Sequence, residues 1–167
     1  MTKWLTDEEQ RAWRAYRHMV LLVDAEVARE LGRDSGRSMP DYQVLSALSE
    51  AADLRCRLSE LATTMQWSAS RLSHHVSRME QRGLVRRAEC ASDARGAFVV
   101  VTDQGLDAIR RAAPDHVASV RRHLIDLLTP DQVGALSEIG ESVIEHFGQK
   151  CQKWPESTAA NGTDCGT

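Results

Sequence analysis

Apolar side chains recur at intervals of three and four along most of the chain, and the rhythm breaks only where glycine, proline or a β-rich run intervenes. The first stripe is Trp13, Tyr16, Val20, Val23, Val27 and Leu31, widened by Met19 and Leu22. It predicts an amphipathic helix stopping at Gly32, and Thr6 with Glu9 stands in capping-box spacing at its start. At 1.5 Å per residue this helix is near 38 Å long, roughly 25 residues, too long for one small globule to cover, so part of it is expected to pack on another subunit. A second helix follows the turn-rich GRDSGRSMP, with Ser38 and Asp41 as a capping pair and Tyr42, Val44, Leu45 and Leu48 inward. A short helix runs from Leu58 to about Met65. Ser68 caps a fourth, Trp67 and Leu72 form a hydrophobic staple across its start, and Gly83 closes it. LVRRAE and AFVVVT then read as two strands joined by the polar tip CASDARG. From Thr102 a stripe of Leu106, Ile109, Ala113, Val117, Val120, Leu124 and Leu127 resumes, with Pro114 marking a kink rather than an end because the phase continues. The last helix opens on Thr129, Pro130 and Gln132, with a Leu128–Val133 staple, and reaches Gly148. Residues 149–167 hold too few apolar groups to order themselves and are expected to be a disordered tail.

The predicted fold class is therefore mainly α with a small β-hairpin: three helices and a two-stranded wing, the winged form of the helix-turn-helix, flanked by long N- and C-terminal helices whose stripes would be buried by pairing two chains. One domain is expected over 1–148, with the winged helix-turn-helix at 38–102 and dimerisation helices at 6–32 and 103–148.

Composition narrows the class. The chain has 167 residues, 42% of them apolar and 27% charged, which fits one ordinary globular domain. No window approaches 18 consecutive apolar residues and MTKWLTDEEQ is polar, so neither a membrane span nor a signal peptide is expected, and the protein is read as cytoplasmic. Cys56, Cys90, Cys151 and Cys165 lie far apart with no C-x-x-C pair, matching no disulfide framework or zinc ribbon; they read as reduced, passive thiols. His116 and His123, seven residues apart, have no obvious third ligand, so no metal is expected. G-x-S-x-G, H-E-x-x-H and a phosphate loop are absent, which argues against an enzyme, and no cofactor is implied.

Net charge is −3, which by itself argues against a nucleic-acid partner. Its distribution reverses the argument. Between Arg55 and Arg95 stand eight arginines and four acids, a local +4, leaving −7 on the rest: a basic lobe on an acidic scaffold. Around the fourth helix at 100° per residue, Leu72, Val76 and Met79 form the core seam, and Ser70, His74, Ser77 and Gln81 lie opposite, flanked by Arg71, His75 and Arg78. That face is free of acids until Glu80. Small hydroxyls, imidazoles and arginines suit a major groove, where donors meet guanine O6 and N7. Arg71 also takes the position where a capping box places Glu, an electrostatic cost at the helix start that a phosphate reverses. At the hairpin tip, Arg95 is the kind of side chain that enters a narrow minor groove, and Asp93 can hold its guanidinium.

Two segments carry a family likeness: LSELATTMQWSASRLSHHVSRMEQRGLVRR and SDARGAFVVVTDQG. Over about residues 6–148 the chain resembles the MarR family of bacterial transcriptional regulators. The resemblance implies a ligand-responsive repressor: a triangular homodimer, built on its first and last two helices, binding double-stranded DNA at an inverted repeat. The fourth helix would sit in the major groove and the wing arginine in the minor groove. Asp93 and Arg95 match the wing motif, Ser68 the recognition-helix cap, and Arg78 a phosphate-contacting arginine; His74 stands where many members carry arginine. Members commonly respond to small, often anionic aromatic effectors, for which Arg14, Arg17, His18 and Tyr42 are the candidate contacts. The remaining alternatives are a redox-responsive regulator of the same fold and a helical dimeric interaction protein without DNA binding.

Overall fold

The computed structural model describes residues 2–90 and 93–148, with only the backbone at 89, 90 and 93–96. The expected tail at 149–167 lies outside the described residues. In chain order the elements are α1 (Asp7–Ser35), α2 (Met39–Glu50), β1 (Arg55–Arg57), α3 (Leu58–Thr64), α4 (Ala69–Gln81), β2 (Val85–Cys90), β3 (Asp93–Val101), α5 (Asp103–His123) and α6 (Pro130–Gly148).

The caps are where local chemistry requires them. Thr6 Oγ1 accepts from Glu9 N, and Thr6 N donates to the Glu9 carboxylate. Thr129 and Gln132 form the same reciprocal box at α6, and Asp41 N donates to Ser38 Oγ. Gly32 does not end α1, as its position predicts; the helix continues to Ser35, and Gly36 caps it at φ 64°, its N–H reaching Gly32 O. A glycine inside a helix weakens it but does not stop it when the next turn still finds hydrogen bonds. Likewise α5 runs through Pro114 but ends at His123, so Leu127 falls in a separate 3₁₀ turn, Ile125–Leu127.

The described residues divide into two compact units: those up to Tyr42 with Asp107–Ser142, and Gln43–Leu106 with those from Val143 to Gly148. The second holds most of the deeply buried side chains: Leu45, Leu48, Leu61, Leu72, Val76, Met79, Leu84, Val85 and Val99. Its sheet has three strands, not two, in the order β1-β3-β2, all antiparallel. Three residues, Arg-Cys-Arg, are too short a run to show strand alternation; they pair with β3 as Arg55↔Val100, Cys56↔Val99 and Arg57↔Phe98. At the sheet's base Thr102 Oγ1 donates to Gly83 O and accepts from Gly105 N. Gly105 is obligatory there, because a Cβ would fall on Leu84 O and within 2.7 Å of Val101 Cγ2.

In the first unit the central polar feature is Glu30, only 8% exposed. Arg122 Nη1 donates to both carboxylate oxygens at 2.9 Å, and His123 Nε2 lies 3.2 Å from Oε1. The neighbouring Ser119 hydroxyl and His123 imidazole, with the Arg122 charge, lower its pKa to about 2 against the opposing effect of burial. A carboxylate whose folded pKa is depressed adds stability that is complete above its unfolded pKa, near 4.5, and lost as pH falls toward 2. Glu30→Gln should therefore melt below the parent at pH 6, and the gap should close between about pH 4.5 and 2. A gap unchanged across that window in thermal melts would refute the assignment.

Candidate nucleic-acid interface

The turn between α3 and α4 is set by backbone hydrogen bonds: Met65 N to Leu61 O, Gln66 N to Thr63 O, and Trp67 N to Ala62 O, with Gln66 at φ 52°. Ser68 then caps α4, its Oγ accepting from Arg71 N at 3.2 Å. At the far end Leu84 N reaches Met79 O and Gly83 N reaches Glu80 O, with Gly83 at φ 71°. This Schellman arrangement turns the chain directly into β2.

Between these caps Leu72, Val76 and Met79 are fully buried, as the wheel predicts. Ser70, Arg71, His74 and Arg78 are exposed on one side. His75 is a correction: expected on the flank of the exposed face, it is 7% exposed, with its ring edge-on to Trp67 at 5.4 Å and its Nδ1 3.4 Å from Arg78 Nη2. It sits 60° from the seam, and the neighbouring indole closes over it. Ser77 is half-buried; its Oγ donates to Ser73 O and accepts from Arg87. Trp67, expected as one half of a staple, also carries the Arg71 guanidinium over its ring at 4.1 Å.

Arg87 on β2 escaped sequence reasoning. Its Nη2 reaches Ser73 O at 2.8 Å, Ser73 Oγ at 3.1 Å and Ser77 Oγ at 3.0 Å, while its backbone N–H donates to Glu80 Oε1. The one acid at the edge of the α4 face is thus engaged with β2, and the strand is bolted to the helix. On the sheet, Arg55 and Arg57 lie over Phe98 at 5.1 and 5.4 Å. The register runs Val85↔Val101 to Glu89↔Ala97 and then shifts to Cys90↔Asp93. The side chains of Asp93 and Arg95 lie outside the described residues.

The candidate effector residues divide. Arg14, Arg17 and His18 share an exposed concavity with Trp13, Tyr16 and Leu21, lined by α1 alone; Arg14 holds Gln10 and Arg17 lies over Trp13. Tyr42 instead lies against His116, the ring centroids 4.2 Å apart and the planes tilted by 38°, where burial lowers the imidazole pKa. Among the described residues no three His, Cys, Asp or Glu side chains group as metal ligands, and no helix is long and apolar enough to cross a membrane.

A family model described as "MarR family" matches residues 35–96, the segment from the end of α1 into β3. The crystal structure of AbsC, a MarR family transcriptional regulator from Streptomyces coelicolor, is 45% identical, covers 89% of this chain and 99% of its own, and superposes with a TM-score of 0.82. The chain belongs to the MarR family of transcriptional regulators. A second MarR family regulator from Streptomyces coelicolor, solved in complex with DNA, is 44% identical over 86% of this chain and 94% of its own, with TM-score 0.82. The transcriptional regulator YfiV of Bacillus subtilis is 28% identical over 152 residues, 89% of this chain and 90% of that protein. Within the MarR family frame, α3 and α4 are the paired helices, and β2 with β3 is the wing.

Proposed function

We propose that the protein is a cytoplasmic, non-enzymatic repressor that binds an inverted-repeat operator in double-stranded DNA as a homodimer, inserting α4 into the major groove and Arg95 into the minor groove. Residues 38–102 would form the DNA-binding lobe, and 6–32 with 103–148 the dimerisation part. The observation that carries this reading is the exposed face of α4: Ser70, Arg71, His74 and Arg78 point outward together, while Glu80, the nearby acid, is occupied by Arg87 N. A regulator 44% identical, solved with DNA, supports the same partner. Ser68 serves the helix cap, and His75 and Ser77 are assigned to holding the helix rather than reading bases. Release by a small anionic aromatic effector at Arg14, Arg17 and His18 completes the proposal; Tyr42, engaged with His116, is the weaker member of that set. The redox alternative loses ground because burial, with Glu60 beside it, pushes the Cys56 thiol pKa up, away from the reactive thiolate.

Selection from random DNA should return two half-sites about 10 base pairs apart, one helical turn. Arg95→Ala should weaken that operator about tenfold, the cost of losing one good contact. Arg78→Ala should lower the salt slope by about one unit with unchanged preference, and His74→Ala should alter the preferred sequence. An asymmetric single half-site, or Arg95→Ala with parental affinity in a gel shift, counts against the respective element.

A further inference from the structure

Arg71 occupies the third position of α4, where a cation opposes the helix dipole, and the first turn contains no acid to offset it. Its side chain is exposed and makes no ion pair among the described residues. What it has is Trp67: the guanidinium carbon lies 4.1 Å from the indole centroid, the shortest such distance among the described residues. A guanidinium over an indole face gains from the ring quadrupole while its N–H edge stays available to acceptors in solution.

The main chain of Trp67 is anchored at the turn, and its indole is supported by one buried neighbour. Trp67 N donates to Ala62 O at 2.9 Å, and the ring meets buried His75 edge-on. His75 Nδ1 faces Arg78 Nη2 in turn. Arg71, Trp67, His75 and Arg78 thus form one continuous line of contacts, with an exposed arginine at each end and a half-buried Trp67 and a buried His75 between them.

We infer that Trp67 is a positioning residue for DNA binding, holding Arg71 in the orientation in which it meets the sugar-phosphate backbone. This rests on the reading of α4 as the DNA-facing helix. A long arginine left free loses much rotamer freedom when a phosphate captures it; one already held over a ring loses less, so the contact forms at lower entropic cost.

The test is a double-mutant cycle on operator affinity and salt slope. Arg71→Ala should weaken binding about tenfold and lower the slope by about one unit. Trp67→Leu should weaken it about fivefold in the parent but hardly at all in the Arg71→Ala background. Trp67→Phe, which keeps a ring and the fold, should cost about twofold, again only where Arg71 is present. If Trp67→Leu and Trp67→Phe cost the same with and without Arg71, Trp67 merely supports the fold and the inference is overturned. If Arg71→Ala changes neither affinity nor slope, the fault lies with the placement of α4 on DNA. Should Trp67→Leu fail to melt cooperatively, the Trp67→Phe cycle alone decides.

Discussion

On the proposed homodimer, two glutamates on one face of α6, Ile139→Glu with Val143→Glu, should separate the chains into monomers and weaken operator binding at least about a hundredfold, or ~2.7 kcal/mol. No residue of α6 is buried within the chain, and Ile139 and Val143 are 62% and 51% exposed, one turn apart. Leu21, Leu22 and Val117 on α1 and α5 are also exposed. Apolar surface repeated along three helices is what a protein interface presents before it is covered. Charges set into it lose hydration on pairing without gaining partners. A single chain would carry one recognition helix and forfeit the second half-site, so the loss of affinity follows from the loss of mass. Sedimentation reads the first and a gel shift the second; a doubly substituted protein still running as a dimer would place the interface elsewhere.

Replacing Arg87 by Met should weaken operator binding about thirtyfold and lower folding stability by about 1–3 kcal/mol, the cost of leaving hydrogen-bonded polar groups without their partner. One guanidinium nitrogen spans Ser73 O, Ser73 Oγ and Ser77 Oγ, fourteen and ten residues away in sequence. Met keeps an unbranched apolar stem, two atoms shorter, and removes every donor. The sheet would still form through its ladder, but the angle between wing and helix would no longer be set, and one DNA duplex could not meet both at low cost. Arg87→Lys should recover only part of the loss, since its nitrogen sits one bond nearer the backbone than the Nη2 that reaches Ser73 and Ser77. Equal affinity for parent and Arg87→Met in titrations at fixed salt would show that the angle is set elsewhere.

What was legible in the residues and what was not divides along the range of the interactions. Thr6–Glu9, Ser68–Arg71 and Thr129–Gln132 caps are contacts between residues three apart, so their pattern in the chain and their geometry in space are nearly the same thing. Leu72, Val76 and Met79 were readable as a seam because helical phase fixes direction around the axis. Phase does not say what stands next to a given direction. His75, 60° from the seam, is buried with the Trp67 ring edge-on beside it, and Ser77 is bonded by an arginine from a strand. β1 was invisible for a related reason: three residues carry no period, and they are a strand only because β3 offers an edge.

The chain by itself thus determined the helices, the wing, the basic lobe on an acidic scaffold and the outward cations of α4, all consequences of periodicity, caps and counted charge. Only the tertiary structure decided that Arg87 and Glu80 join β2 to α4, that Arg71 rests on Trp67, and that Glu30 is clamped by Arg122 from 92 residues away. Each of those contacts is made by a polar or charged side chain whose partner is chosen by proximity after packing, and charge alone offers many equivalent partners along a chain until the fold leaves one within reach.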